Sequence, residues 1–307
     1  MSLDENGDVR VHRSADAATP AVEGLPVELT LVVPTPADLP TRFIKKIHCA
    51  RVPIIACSPH EAVSRVLQLA RRDRDGGADV HLCNAYTLAL ADSDQGYRSM
   101  LRDATLNLAD GKSVAWFNRL SGEVDESADR IRGNDLFLRV VDAGRTRGVR
   151  HYLLGGSPEV VKRLQLSLES RFPGTEVVGS ESPPFRPLTE EERGEQVAKV
   201  RESGADVVWV GLGTPKQDLA AYQIAREAGV VAVAIGAAFD FIAGSKPEAP
   251  KWMQKSGTEW LHRLLSEPRR LWRRYLFGNS RFVYAAYRYR RHQDDDDPRV
   301  PSPRVGG

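Results

Sequence analysis

From Ile54 onward, short apolar runs alternate with amphipathic stretches, separated by turn or cap residues, which is the pattern of strands and helices alternating along a sheet. Ser58-Pro59-His60-Glu61 predicts a helix start: the serine caps free amides, proline suits the first helical position, and the glutamate completes a capping box. Ala78 to Asn84 reads as a strand, Ala85 to Arg102 as one helix, and Thr105 to Ala109 as a strand ending at Asp110-Gly111. The second half repeats the scheme. Val149 to Leu154 delivers a strand into Gly155-Gly156-Ser157-Pro158, and Val160, Leu164 and Leu168 mark a helix over Glu159 to Phe172. Thr175 to Val178 predicts a strand, Thr189 and Glu192 a second capping box, and Asp206 to Val210 a strand closing on Gly211-Leu212-Gly213. A helix from Gln217 to Ala228 then leads to a strand over Val230 to Ile235 and the loop Gly236 to Asp240. The expected fold class is α/β, Rossmann-like, with a largely parallel sheet flanked by helices and ligands at the carboxyl ends of its strands.

After Pro250 the composition changes. Trp252, Trp260, Trp272, Tyr275 and Tyr284 interleave with Arg263, Arg269, Arg270, Arg273, Arg274 and Arg281, a basic aromatic helical appendage assigned to residues 249–292. The α/β core is assigned to 50–248, a partly disordered leader to 1–49, and a disordered tail to 293–307. The leader has no apolar segment resembling a signal peptide. The best apolar stretch, Val230 to Ile242, contains Asp240 and falls short of the roughly 18 residues of a spanning helix, so any membrane contact is expected to be peripheral. With 41% hydrophobic and 27% charged residues the chain is not disordered throughout. Its 43 Lys and Arg against 41 Asp and Glu, a formal charge of +2, exclude a globally basic nucleic-acid binder. Cys49, Cys57 and Cys83 lack CxxC spacing and favour a reducing, cytoplasmic compartment.

Three loops at strand ends carry groups that a phosphate-bearing ligand could use: Gly155-Gly156-Ser157, Gly211 to Gln217, and Asp110-Gly111. Glycines there serve tight turns equally well. Gly211 to Lys216 lacks the third glycine of a dinucleotide fingerprint and the Lys-Ser/Thr pair of a P-loop. Asp110, following an apolar strand, is either a partly desolvated base or a turn aspartate held by backbone amides. Asp240 carries the same alternatives, and Asn84 either braces backbone or bonds a ligand. No metal site is expected, because His48, Cys49, Cys57 and His60 lack compact ligand spacing. Arg263, Arg270 and Arg273 share a helical face provided Pro268 does not break the helix. The appendage could bury its rings, stack RNA bases, or grip an anionic lipid surface.

Taken together, Cys83-Asn84-Ala85, Leu108 to Gly111, Arg130-Ile131-Arg132-Gly133-Asn134-Asp135-Leu136, Leu154-Gly155-Gly156, Gly211 to Gln217, Gly236 to Asp240, Ala249-Pro250-Lys251-Trp252, Glu259 to Leu264 and Glu267 to Arg270 resemble the WecG/TagA/CpsF family of bacterial glycosyltransferases. The resemblance runs from about Val52 to Val283. It implies inverting transfer from a UDP-sugar to a polyprenyl-pyrophosphate-linked acceptor at the inner leaflet, in cell-envelope polysaccharide synthesis, with no cofactor, no required metal and no nucleic-acid partner. By the same resemblance Asp110 is the general base. Asn84, Gly155, Gly156, Gly211, Gly213, Gln217 and Asp240 belong to donor and substrate binding, and Arg263, Arg270 and Arg273 to the diphosphate. Leu82, Ser113 and Glu248 depart from the family pattern, which has a threonine, a glycine and an arginine there. A nucleotide-dependent oxidoreductase and a non-catalytic lipid- or RNA-binding protein are the alternatives, and self-association is left open. Deleting the residues after Pro250 is expected to leave a folded core.

Overall fold

The computed structural model describes residues 46–71, 76–120 and 128–290, without the side chains of Lys255, Arg270, Arg273, Phe277 and Arg290. The expectations for residues 1–45 and 291–307 lie outside the described residues. In chain order the elements are β1 (Lys46–Cys49), β2 (Val52–Ile55), α1 (Pro59–Leu69), β3 (Ala78–Cys83), α2 (Ala85–Ser93), α3 (Gln95–Arg102), β4 (Leu106–Ala109), α4 (Lys112–Leu120), α5 (Gly133–Arg145) and β5 (Arg150–Gly155). There follow α6 (Pro158–Arg171), β6 (Glu176–Glu181), α7 (Glu190–Glu202), β7 (Val207–Gly211), α8 (Lys216–Ala228), β8 (Val231–Ala234), α9 (Ala238–Ile242), α10 (Lys251–Ser256), α11 (Glu259–Ser266) and α12 (Pro268–Arg290).

The strands form one sheet in the order β1-β2-β4-β3-β8-β7-β5-β6. Every pairing is parallel except that of β1 with β2. The Rossmann-like α/β class is therefore the observed one. Helices cover both faces. On one, α1, α5, α6 and α9 bury Val66, Phe137, Leu164 and Phe239 against Val80, Leu108, Trp209 and Val233. On the other, α2, α3 and α12 enclose a cluster around Ile54, Leu88 and Leu101, while α7 and α8 cover Leu154, Val208 and Ala232. Trp209 meets Phe137 edge-on at 4.7 Å, and Phe137 meets Phe239 at 6.0 Å. Both capping boxes form: Ser58 with Glu61 and Thr189 with Glu192 exchange backbone and side-chain hydrogen bonds.

The chain departs from the sequence expectation in four places. Lys46–Cys49, assigned to the leader, form β1, turned back by Ala50 and Arg51 at φ 50° and 67°. The helix expected over Ala85 to Arg102 is two: Asp94 ends α2 through its amide on the Leu90 carbonyl (2.8 Å) and caps α3 by accepting the Tyr97 amide (2.9 Å). Pro268 does break the appendage. It forces Glu267 out of helical geometry (φ −134°, ψ 60°) and opens α12, so Arg263 lies on a different helix from Arg270 and Arg273. Finally, Phe282, Ala285 and Ala286 of α12 are buried in the same cluster as Ile54 and Leu88, so the appendage packs into the core rather than standing apart from it.

Candidate active site

Parallel register brings five strand ends to one rim of the sheet. Cys83 pairs with Ala109, His81 and Val210 each with Ala234, and Gly155 with Gly211. Neighbouring strands are about 4.8 Å apart, so Asp110, Asn84, Gly236, Leu212 and Gly156 follow one another in that order along the rim. These motifs, spread from Asn84 to Gly236 along the chain, meet there because strand order and register bring them together.

Asp110 leaves β4 with its amide on the Cys83 carbonyl (2.9 Å), while Ile131 donates to the carbonyl of Ala109 (2.7 Å). Its residue surface is half-buried. Burial pushes the carboxyl pKa up from its ordinary value, against the lowering influence of Arg263, a hydrogen bond from the Asn84 side chain, and Arg130; Glu259 adds to the rise. The Asn84 side chain serves two purposes. Its Oδ1 caps α2 by accepting the amides of Tyr86 (3.0 Å) and Thr87 (3.2 Å), which leaves its NH₂ to face Asp110. Backbone bracing and contact with the Asp110 carboxyl are thus one arrangement.

The glycine loops divide by what they require. At Gly155 (φ 127°) a Cβ would stand 2.6 Å from the Gly211 carbonyl oxygen, and at Gly211 one would stand 2.9 Å from the Phe239 ring, so both are glycine because β5, β7 and α9 approach closely. Gly156 (φ 71°) lies against Val160 and Phe239. Gly213 differs: at φ 78° nothing lies within 4 Å of its missing Cβ, and its amide donates to Oε1 of buried Gln217 (3.0 Å). Gln217 therefore holds the β7–α8 loop and faces Gly236 of the next strand end. Asp240 is held by Lys246 (3.2 Å), which also pairs with Glu267 (2.8 Å).

Above the rim, the appendage is tied down by ion pairs. Glu259 at the start of α11 bridges Arg130 (3.1 Å) and Arg132 (3.3 Å). Glu248, the departure from the family pattern, takes Arg132 (3.1 Å), Asn134 (2.9 Å) and Gln254 (3.2 Å), so an anion here holds the hinge. Arg263 stands over the Phe241 ring at 5.5 Å and within electrostatic reach of Asp110. The side chains of Arg270 and Arg273 lie outside those described. Two cations near Asp110 were missed as individual candidates: Arg130, although it opens the Arg-Ile-Arg-Gly motif, and Arg274, whose place on an inward-facing helix stripe was the available signal. Among the described residues no group of three or more His, Cys, Asp or Glu could hold a metal ion, and Cys49, Cys57 and Cys83 are free and buried.

Fold and site define an α/β protein of the Rossmann-like class with a carboxylate at the carboxyl rim of its sheet and arginines from a helical appendage beside it. The model of the Glycosyl transferase WecG/TagA/CpsF family matches residues 47–296. The chain belongs to that family and is a glycosyltransferase. Membership implies, in general terms, a nucleotide-sugar donor and a lipid-linked acceptor. Among the described residues no helix is long and apolar enough to cross a membrane.

Proposed function

We propose that this glycosyltransferase moves a sugar, with inversion and without a metal ion, from a UDP-sugar to a polyprenyl-pyrophosphate-linked sugar at the inner leaflet of the cytoplasmic membrane, in cell-envelope glycan synthesis. The observation that carries the reading is the Asp110 carboxyl, desolvated at the rim yet still reachable, between Asn84 and Arg263. In a single displacement the acceptor hydroxyl oxygen bonds to the anomeric carbon as the bond to the diphosphate oxygen breaks. The hydroxyl proton passes to Asp110, and the electron pair of the broken bond leaves with UDP. Burial, by raising its pKa, makes the Asp110 carboxylate a stronger base than an exposed one. Asn84 orients that carboxylate, Gln217 and Gly213 shape the donor loop, and Arg263 offsets charge developing on the leaving diphosphate.

The membrane side of the reading is supported by exposed Trp252, Trp260, Leu265, Trp272 and Leu276 on α10 to α12, set among arginines. Each such cation contributes about 1 kcal/mol near an anionic leaflet. The test is Asp110→Asn. It should retain folding and UDP binding while turnover falls by roughly 10² or more. Turnover close to that of the wild type would remove Asp110 from the mechanism.

A further inference from the structure

One face of α12 is turned into the protein. Leu271, Gly278, Phe282, Ala285 and Ala286 are buried along it, with helical spacing. Arg274 lies on this face, one turn before Gly278. Its guanidinium sits over the Tyr86 ring, 4.3 Å from the centroid, and Gly278 lies against the same ring, where a Cβ would come within 3.1 Å of Cδ2. Both are therefore directed at the start of α2, the turn that Asn84 caps and that adjoins Asp110.

An arginine in this position is costly. Among the described residues its Nε, sealed from solvent, has no hydrogen-bond partner, and no carboxylate forms an ion pair with it. Taking a guanidinium out of water is strongly unfavourable, and stacking on one tyrosine face offsets only part of that cost. Burial accordingly disfavours the charged form of Arg274, the nearby Arg263 adds to that, and the attractions of Tyr275, Tyr86 and Asp110 do not compensate. A leucine would satisfy the packing of this stripe better. What arginine supplies instead is a planar fork of donors, the geometry that fits phosphate oxygens.

We propose that Arg274 binds the diphosphate of the nucleotide at the active-site rim, its guanidinium receiving phosphate oxygens beside Asn84 and Asp110. The assignment rests on the glycosyltransferase reading above. It adds a cation delivered by α12 to Arg263, which is delivered by α11.

The test is calorimetric titration of the full chain with UDP, inorganic pyrophosphate and uridine, for the wild type, Arg274→Leu, Arg274→Lys and Asp110→Asn. Arg274→Leu should weaken UDP and pyrophosphate about tenfold or more and leave uridine unchanged. Arg274→Lys, which keeps the charge and loses the fork, should fall between. The Tm of Arg274→Leu should equal or exceed that of the wild type, because the desolvation cost is gone. Unchanged affinity for UDP and pyrophosphate in Arg274→Leu would make the residue a packing element and overturn the assignment, as would a wild type that binds neither. Failure of the underlying reading looks different: pyrophosphate binding that depends on Arg274, no preference for UDP, and Asp110→Asn without effect on turnover.

Discussion

His81 is fully buried on β3 between two carboxylates, with Nε2 3.1 Å from Asp79 and Nδ1 3.2 Å from Asp218. Asp218 also accepts the Tyr97 hydroxyl (2.9 Å), and Asp79 accepts the amide and hydroxyl of Thr105 (3.0 and 2.9 Å). Burial by itself disfavours the imidazolium, yet the hydrogen bonds and charges of Asp218 and Asp79 outweigh it and raise the pKa from 6.5 to about 9. The folded value lies above the unfolded one. The resulting stability is fully present below pH 6.5 and is lost as pH rises through about 9. At about 1.4 kcal/mol per pKa unit the rise is worth roughly 3 kcal/mol. Urea unfolding of the wild type and of His81→Gln across this interval measures it. The stability difference between them should shrink by roughly 3 kcal/mol from pH 6.5 to above 9. A difference that stays constant with pH would refute a protonated His81. Since Asp218 directly follows Gln217 at the start of α8, the same network anchors the β7–α8 loop to β3, the strand that Asn84 follows.

Three further outcomes follow from the packing and the site. The acid limb of kcat/KM should lie above the ordinary carboxylate range, because the raised pKa keeps Asp110 protonated, and inactive as a base, to higher pH; a limb in the usual range would contradict the burial assigned to it. Gly155→Ala should cost about 3 kcal/mol, read as a lowered denaturation midpoint, since φ 127° and a carbonyl 2.6 Å from the new Cβ oppose it together; a neutral outcome would mean that β5 and β7 can separate. Truncation after Pro250 should yield an unstable or aggregating core, because loss of Phe282 alone removes a side chain whose deletion from a core costs about 3–5 kcal/mol, and circular dichroism would show a native-like melt only if this packing is dispensable.

The strand and helix sequence was legible in the hydrophobic pattern because each element needs only local information: period, caps and turn residues. The capping boxes at Ser58 and Thr189 form where the spacing put them, and Asp110 and Asn84 stand at strand ends as their neighbours dictated. The break at Asp94 escaped because a residue that both ends one helix and caps the next leaves the apolar spacing intact. That β1 joins the sheet escaped as well, since a four-residue strand carries too little pattern to read.

What the sequence determined by itself, then, was the alternation of elements, and with it the parallel sheet and the motifs at its strand ends. It could not decide which of those motifs share a neighbourhood. Strand order and register placed Asn84 beside Asp110, the close approach of β5 and β7 gave Gly155 and Gly211 a structural reason to be glycine, and the docking of α11 and α12 brought Arg263 within electrostatic reach of Asp110 and set Arg274 against Tyr86. Local propensity acts over a few residues, whereas desolvation and charge depend on everything that surrounds a side chain, and those surroundings exist only once the chain has folded.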